Sequence, residues 1–416
     1  MRKKQGLLII CDGLGDRPIE RIGNETPLEH ASTPNLDHLV SLGMCGNVYP
    51  FKPGIRVGTD VGHLLIMGYD AEKYYYGRGP IEAASGGIDL EAGDVAFRGN
   101  FATINEDFCI LDRRAGRITK GTAELASALN NMQLDNDVKV LAKELTSHRL
   151  AVVFRGPGLS ADVSDTDPGA THEGEKLADP RPLNSTSEAI RTANLVGEFS
   201  KKAHAILSEL EINKKRQAEG LLPANAILLR SAGIMGSIPP VGELFSMKTA
   251  CIAGDKTILG LTRMAGFDVY TDDRFTGGFD TWIQGKAEKA FNLLQSGYDW
   301  VLVHVKATDL AGHDNEPQQK TEIIEKVDEA VGFLLQHLDL ARYYIGLTAD
   351  HSTPCEVGDH SGDPVPTILA GSDVRKDGIC YAGEKYFSRG SLQNLTARDI
   401  FMIQMDLMGR TKKYGS

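Results

Sequence analysis

The chain has 416 residues, enough for two or three domains, and 41% of them are apolar, enough for a sizeable buried core. A formal net charge of −11 argues against a diffuse nucleic-acid or membrane-surface binder, so any phosphate-binding cluster must be local. No run approaches the ~20 apolar residues of a membrane helix, and six cysteines scattered without a C-x-x-C fit reduced thiols in a cytoplasmic protein.

The basic N-terminal residues lead at once into Leu7-Leu8-Ile9-Ile10, which reads as a strand rather than a signal peptide and runs through Cys11 into Asp12. Gly13-Leu14-Gly15-Asp16 makes a sharp turn. Thr33-Pro34 has the chemistry of an N-cap with proline at the first helical position, opening a helix to Leu42 that Gly43 and Gly46 end. Val61 to Met67 reads as a short apolar helix preceded by Gly58-Thr59. Thr59 has two readings at this point. Its hydroxyl is either an ordinary N-cap or a nucleophile at a helix N-terminus whose positive potential suits phosphate.

From about Tyr74 the character changes. A strand over Phe97 to Ile104 precedes the basic cluster Asp112-Arg113-Arg114-Ala115-Gly116-Arg117. A helix from Thr122 to Met132 follows, then strands at 139–142 and 148–154, the second opening on His148-Arg149. The polar segment 156–182, with Asp167-Pro168 and His172, reads as a long loop, of the kind that is usually functional or disordered. A helix from Ser187 to Leu210, a charged turn at 213–216 and a strand at 226–230 complete an α+β module over residues 73–242. This module interrupts an α/β domain made of residues 1–72 and 243–416. The second part carries a helix at Lys256 to Met264 and a strand at 266–270. Two amphipathic helices, 281–295 and 321–337, lead to the apolar strands 300–305 and 343–348. That alternation predicts a doubly wound, mostly parallel sheet.

Three apolar strands thus each deliver an aspartate just beyond their C-terminal end, where ligands collect in open α/β sheets. Asp12 follows the first, Asp309 and His313 the second, Asp350 and His351 the third, with His360 in the adjoining glycine-rich loop. Asp309 and His313 meet on one helical face or share a loop around Gly312. Six carboxylate and imidazole groups suffice for two divalent cations. The absence of thiolate suits Zn²⁺ or Mn²⁺, with Mg²⁺ at an oxygen-rich position. Two such cations would clamp the attacking and leaving oxygens of a phosphoryl transfer.

Thr-Asp-Leu-Ala-Gly-His at 308–313 and Ala-Asp-His-Ser-Thr-Pro at 349–354, with His-Ser-Gly-Asp-Pro-Val-Pro at 360–366, resemble the metal motifs of the alkaline phosphatase superfamily. With Asn100-Phe101-Ala102-Thr103, the 112–117 cluster and His148-Arg149, the chain is most similar to cofactor-independent phosphoglycerate mutases of the archaeal type, over nearly its whole length. The resemblance implies an alkaline-phosphatase-like fold with one metal on Asp309, His313 and His360. It implies a second on Asp12, Asp350, His351 and the nucleophile hydroxyl, which falls on Thr59 where many relatives have serine. The implied reaction interconverts 3- and 2-phosphoglycerate through a phosphothreonine, without 2,3-bisphosphoglycerate. The inserted module would trap glycerate, because water reaching the phosphoenzyme would turn a mutase into a phosphatase. Arg113, Arg114 and Arg117 become candidates for the phosphate and carboxylate. His148, Arg149 and His172 are candidates for the glycerate hydroxyls, and Lys256 for a cation near the phosphoryl group. A phosphatase, phosphodiesterase or other phosphomutase would share the metal motifs. A non-catalytic, metal-stabilised binding protein would be expected to use cysteine-rich closed sites instead. The sequence is silent on oligomeric state.

Overall fold

A computed structural model describes residues 4–169, 174–236 and 238–415. The chain divides into two compact units, Met1–Tyr75 with Ile238–Ser416, and Tyr76–Ser237. Among the described residues no helix is long and apolar enough to cross a membrane.

The first unit is built on β1 (Gln5–Cys11) and β2 (Gly43–Val48), the second on β3 (Val95–Ile104), β4 (Ile110–Asp112), β5 (Gln133–Asp135), β6 (Val138–Glu144), β7 (Arg149–Arg155) and β8 (Ala226–Ile234). The chain then returns to the first unit with β9 (Thr249–Ile252), β10 (Asp268–Tyr270), β11 (Trp300–Val305), β12 (Tyr343–Thr348) and β13 (Val365–Ala370). The seven strands of the first unit lie in the order β10-β9-β11-β1-β12-β13-β2. The five from β10 to β12 are parallel, and the β13 contacts with β12 and β2 are antiparallel. This is the alkaline-phosphatase-like, mostly parallel sheet that the motifs imply. β1, β11 and β12 are buried along their whole length, which is why they read as unbroken apolar runs. Leu7, Ile9, Val301, Val303, Ile345 and Leu347 share one core with Ile323, Ile324 and Val327 of the helix Pro317–His337. On the other face Trp300 packs against Phe401 of the helix Ala397–Leu407, with ring centroids 5.2 Å apart.

Two short strands depart from the sequence reading. Gly43 and Gly46 do not simply end a helix. They lie in β2, where a side chain on Gly43 would meet the Leu369 carbonyl oxygen at 2.2 Å. β13 carries Pro366, which masks its strand character. In the second unit the charged turn is instead a helix, Glu211–Ala218, separated from the helix Ser187–Glu209 by extended backbone at Leu210.

The second unit is an antiparallel sheet, β4-β3-β7-β6-β5 with β8 on the free side of β3. The helix Ser187–Glu209 covers one face through Val196, Phe199 and Ala203 against Phe154. The helix Arg78–Ser85 covers the other through Ala83, against Ala96 and Val153.

Candidate active site

Strand register assembles the site. Cys11 pairs with Val305, and Ile10 pairs with Thr348, so Asp12, Lys306 and Asp350 emerge together at one end of the sheet. Gly13 follows with φ +63°, and a Cβ there would lie 2.5 Å from Thr353 Oγ1 and 2.7 Å from Asp309 Oδ1. Only glycine lets the chain turn away at that point. Asp309 and His313 lie one turn apart on the helix Ala307–His313, which decides between the helix and loop readings.

Two triads result, Asp309 with His313 and His360, and Asp12 with Asp350 and His351, each with its ligand atoms within 4.8 Å of one another. Their imidazoles are presented in one way. His313 Nδ1 is 3.0 Å from the Gly358 carbonyl, and His360 Nδ1 is 2.9 Å from that of Val57. His351 Nδ1 is 3.0 Å from Thr353 Oγ1, which in turn donates to Asp309 Oδ1 at 2.7 Å. A proton on each Nδ1 satisfies these partners and leaves each Nε2 lone pair facing a carboxylate. Metal-binding histidines are oriented in this manner. His313 and His360 Nε2 lie 3.4 and 3.7 Å from Asp309 Oδ1, and His351 Nε2 lies 3.3 Å from both Asp12 Oδ1 and Asp350 Oδ2.

The donor set fits divalent cations on a second ground. Asp12 Oδ1 and Asp350 Oδ2 are buried without a hydrogen-bond donor, a costly state unless a cation takes that place. Burial alone would push Asp12 upward, but Lys306, a hydrogen bond from His304 and the neighbouring His351 ring hold it well below the usual carboxylate range. Burial and Asp12 likewise oppose Asp350, yet His351 and His63 keep it low. The two carboxylates in turn overcome burial and raise His351 to about 9. A bound cation would supply the positive charge that His351 otherwise carries.

Thr59 does not cap its helix. Gly58 is the N-cap of Thr59–Ile66, without a side-chain capping bond, and Thr59 occupies the first helical position. Its Oγ1 instead lies 3.2 Å from His351 Nε2, beside the second triad. The helix sits against the β12 strand end through Gly62, where a Cβ would lie 2.5 Å from the Asp350 carbonyl oxygen. His63, one turn on, contacts the Thr59 carbonyl at 2.7 Å and Asp350 Oδ2 at 3.3 Å.

Lys256 is exposed on the first turn of Lys256–Met264. The cation that touches the triads is Lys306, which sequence reasoning passed over although it directly follows β11. His304, the one polar residue in the interior of that apolar strand, bonds Asp12 Oδ2 at 3.0 Å. The remaining candidates belong to the second unit, except that His172 lies outside the described residues. Arg113 is buried and grips Asp167 with a two-pronged pair at 2.9 and 2.6 Å, while Arg114 and Arg117 are exposed. Arg149 joins a cluster that single-strand patterns did not reveal. Arg98 pairs in register with Arg230 across β3 and β8, and Asn100 pairs with Arg149 across β3 and β7. Burial, then Arg149, Arg78 and Arg230, pull Arg98 down to about 10 against the pull of Glu82. Burial and Arg149, Arg114 and Arg98 lower His148 to about 4. Concentrated like charge of this kind attracts an anion.

A doubly wound sheet that gathers two Asp/His triads and a hydroxyl at its carboxyl end has the donor set on which divalent cations could support phosphoryl transfer. A sequence profile of the 2,3-bisphosphoglycerate-independent phosphoglycerate mutases matches residues 41–213. The mutase of that description from Thermococcus kodakarensis is 45% identical over 100% of both chains, and one from Archaeoglobus fulgidus is 45% identical over 99% of both. A solved structure of a Pyrococcus horikoshii protein superposes with a TM-score of 0.85 at 38% identity, covering 100% of both chains. The cofactor-independent phosphoglycerate mutase of Thermoplasma acidophilum gives 0.77 at 36% identity, over 98% of this chain and 100% of its own. The chain belongs to the family of 2,3-bisphosphoglycerate-independent phosphoglycerate mutases.

Proposed function

We infer that this chain interconverts 3- and 2-phosphoglycerate without 2,3-bisphosphoglycerate, by passing the phosphoryl group through Thr59. Family membership supports the mutase activity. The observation that carries the route is the Thr59 hydroxyl, 3.2 Å from His351 Nε2 and beside two buried carboxylate oxygens without donors. Asp309, His313 and His360 would hold one divalent cation, and Asp12, Asp350, His351 and Thr59 the other. When bound, the pair would lower the hydroxyl pKa and neutralise the phosphoryl oxygens.

Thr59 Oγ1 forms its bond to phosphorus as the bond from phosphorus to the C3 oxygen breaks, and the departing oxygen takes up a proton. The C2 hydroxyl of the retained glycerate then attacks the phosphothreonine, loses its own proton and frees Thr59. The helix Thr59–Ile66 contributes a fixed Oγ1 and an N-terminus oriented toward negative charge. Taken by itself, the second unit offers the Arg98, Arg149 and Arg230 cluster, with Arg114 beside His148, as a set of groups suited to a carboxylate. His148, kept neutral by burial and then by its cationic neighbours, can accept a hydrogen bond from a hydroxyl. Any phosphate released in place of isomer measures water reaching the phosphoenzyme.

Mass spectrometry of protein quenched with 3-phosphoglycerate tests the route. A phosphopeptide bearing the label on Thr59 is expected. A label elsewhere removes Thr59 as the nucleophile, and phosphate release without 2-phosphoglycerate overturns the mutase reading. Thr59→Ala is expected to lose turnover by ~10⁴-fold or more, the scale on which removal of a covalent nucleophile acts. Thr59→Ser, which keeps the hydroxyl, is expected to retain activity.

A further inference from the structure

Lys306 stands between the two triads. Its Nζ donates to Asp12 Oδ2 at 3.0 Å and to Asp309 Oδ2 at 2.5 Å, taking one carboxylate from each set. Its side chain is 22% exposed, while those of Asp12 and Asp309 are 0% and 2% exposed. In both carboxylates Lys306 takes the oxygen that faces away from the imidazoles of the triads. Asp12 Oδ1 lies by His351 Nε2, and Asp309 Oδ1 lies by His313 and His360.

Aiming those carboxylates does not require Lys306, because each has a second support. His304 Nε2 bonds Asp12 Oδ2 at 3.0 Å, and Thr353 Oγ1 bonds Asp309 Oδ1 at 2.7 Å. What Lys306 adds is a positive charge shared between one carboxylate of each set. Asp12, Asp309 and Asp350 are three buried carboxylates at one sheet end, and leaving such charges uncompensated is strongly destabilising. Two buried ammonium groups nearby are held elsewhere, Lys320 by Asp16 at 2.8 Å and the Thr353 carbonyl at 3.0 Å, and Lys286 by the His304 carbonyl at 2.8 Å.

We propose that Lys306 is the resident counter-ion of the two metal triads, a positioning residue that keeps Asp12 and Asp309 together before cations bind and opposes their entry by its charge. The proposal rests on the two-metal reading above. It makes metal affinity and metal-free stability move in opposite directions on removal of the charge, because a group that stabilises the empty cradle weakens what fills it. A residue that merely aimed the ligands would instead strengthen metal binding, so its loss would weaken it.

The test is a Mn²⁺ titration by calorimetry of metal-free wild type, Lys306→Met and Lys306→Arg, with thermal melts of each before and after loading. Lys306→Met is expected to bind Mn²⁺ more tightly by about 5- to 150-fold, the usual span of a coupling between two bound charges. Its metal-free melting temperature should fall and its rise on loading should exceed that of wild type. Lys306→Arg, which keeps the charge, should follow wild type. Unchanged or weaker Mn²⁺ binding by Lys306→Met overturns the proposal and leaves the two-metal reading intact. An arginine variant that binds Mn²⁺ more tightly than wild type by that same span also overturns it, and this comparison with wild type stands even if the metal-free methionine variant does not fold. Wild type that binds no Mn²⁺ removes both readings.

Discussion

At the scale of single residues, the site depends on which atom of each group is left free. The histidines of both triads have Nδ1 engaged and Nε2 turned to a carboxylate, and those partners come from backbone carbonyls and from Thr353. None of these pairings follows from the spacing of Asp and His along the chain. His148 gives a measurable case of the same dependence on surroundings. Its value near 4, against an ordinary 6.5, means that the folded chain favours the neutral ring. Between those two values the unfolded chain binds more protons, so this residue's contribution to stability rises with pH through that window and is complete above it. The His148 ring resonances are expected to titrate near pH 4 in NMR, and Arg149→Gln should move the midpoint upward. A midpoint at the ordinary value would remove the cationic environment inferred for this ring.

At the scale of elements, the position of Thr59 depends on how closely the helix Thr59–Ile66 approaches the end of β12. Gly62 permits that approach. Gly62→Ala gains up to ~1 kcal/mol of helix propensity, but its Cβ would meet backbone and side-chain atoms of Asp350 at 2.5 and 2.8 Å, so the helix must move. Overpacking of this kind costs roughly 1–3 kcal/mol, and displacement of a nucleophile by about 1 Å can cost ~10²-fold in rate. We expect a lower melting temperature together with a loss of turnover of that order. Gly197→Ala, in the helix Ser187–Glu209, is the matching control. A Cβ there meets only Pro180 Cγ at 3.6 Å, so stability should hold or rise and turnover should not change. Equal effects of the two substitutions would discount the contact between Gly62 and Asp350.

At the scale of the whole molecule, cation binding and stability are linked. Buried Asp12 Oδ1 and Asp350 Oδ2 have no donor, so a cation that binds the folded chain alone must stabilise it. At a free cation concentration 100-fold above Kd the gain is ~2.7 kcal/mol per site. Chelation should therefore lower the melting temperature and stop isomerisation, and Mn²⁺ should restore both. A melting temperature indifferent to chelator would argue that these carboxylates hold no metal.

Much of this protein is legible in its sequence. Apolar runs ending in Asp12, before Asp309 and before Asp350 identify the central strands and the aspartates near their ends, because a parallel strand buried on both faces leaves few alternatives to Val, Ile and Leu. The amphipathic helices of the first unit are visible as periodic apolar stripes, because each buries one face. What the linear pattern could not supply was partnership. Arg98 and Arg230 are 132 residues apart and meet only because β3 and β8 pair in one register. Lys306 gains its place between the triads because Cys11 is opposite Val305. The hydroxyl of Thr59 reads first as an ordinary cap and only second as a nucleophile until folding places it beside His351. Composition and periodicity report what each residue contributes to its own segment, whereas charge compensation and orientation arise between segments, at distances set by strand register and close helix approach.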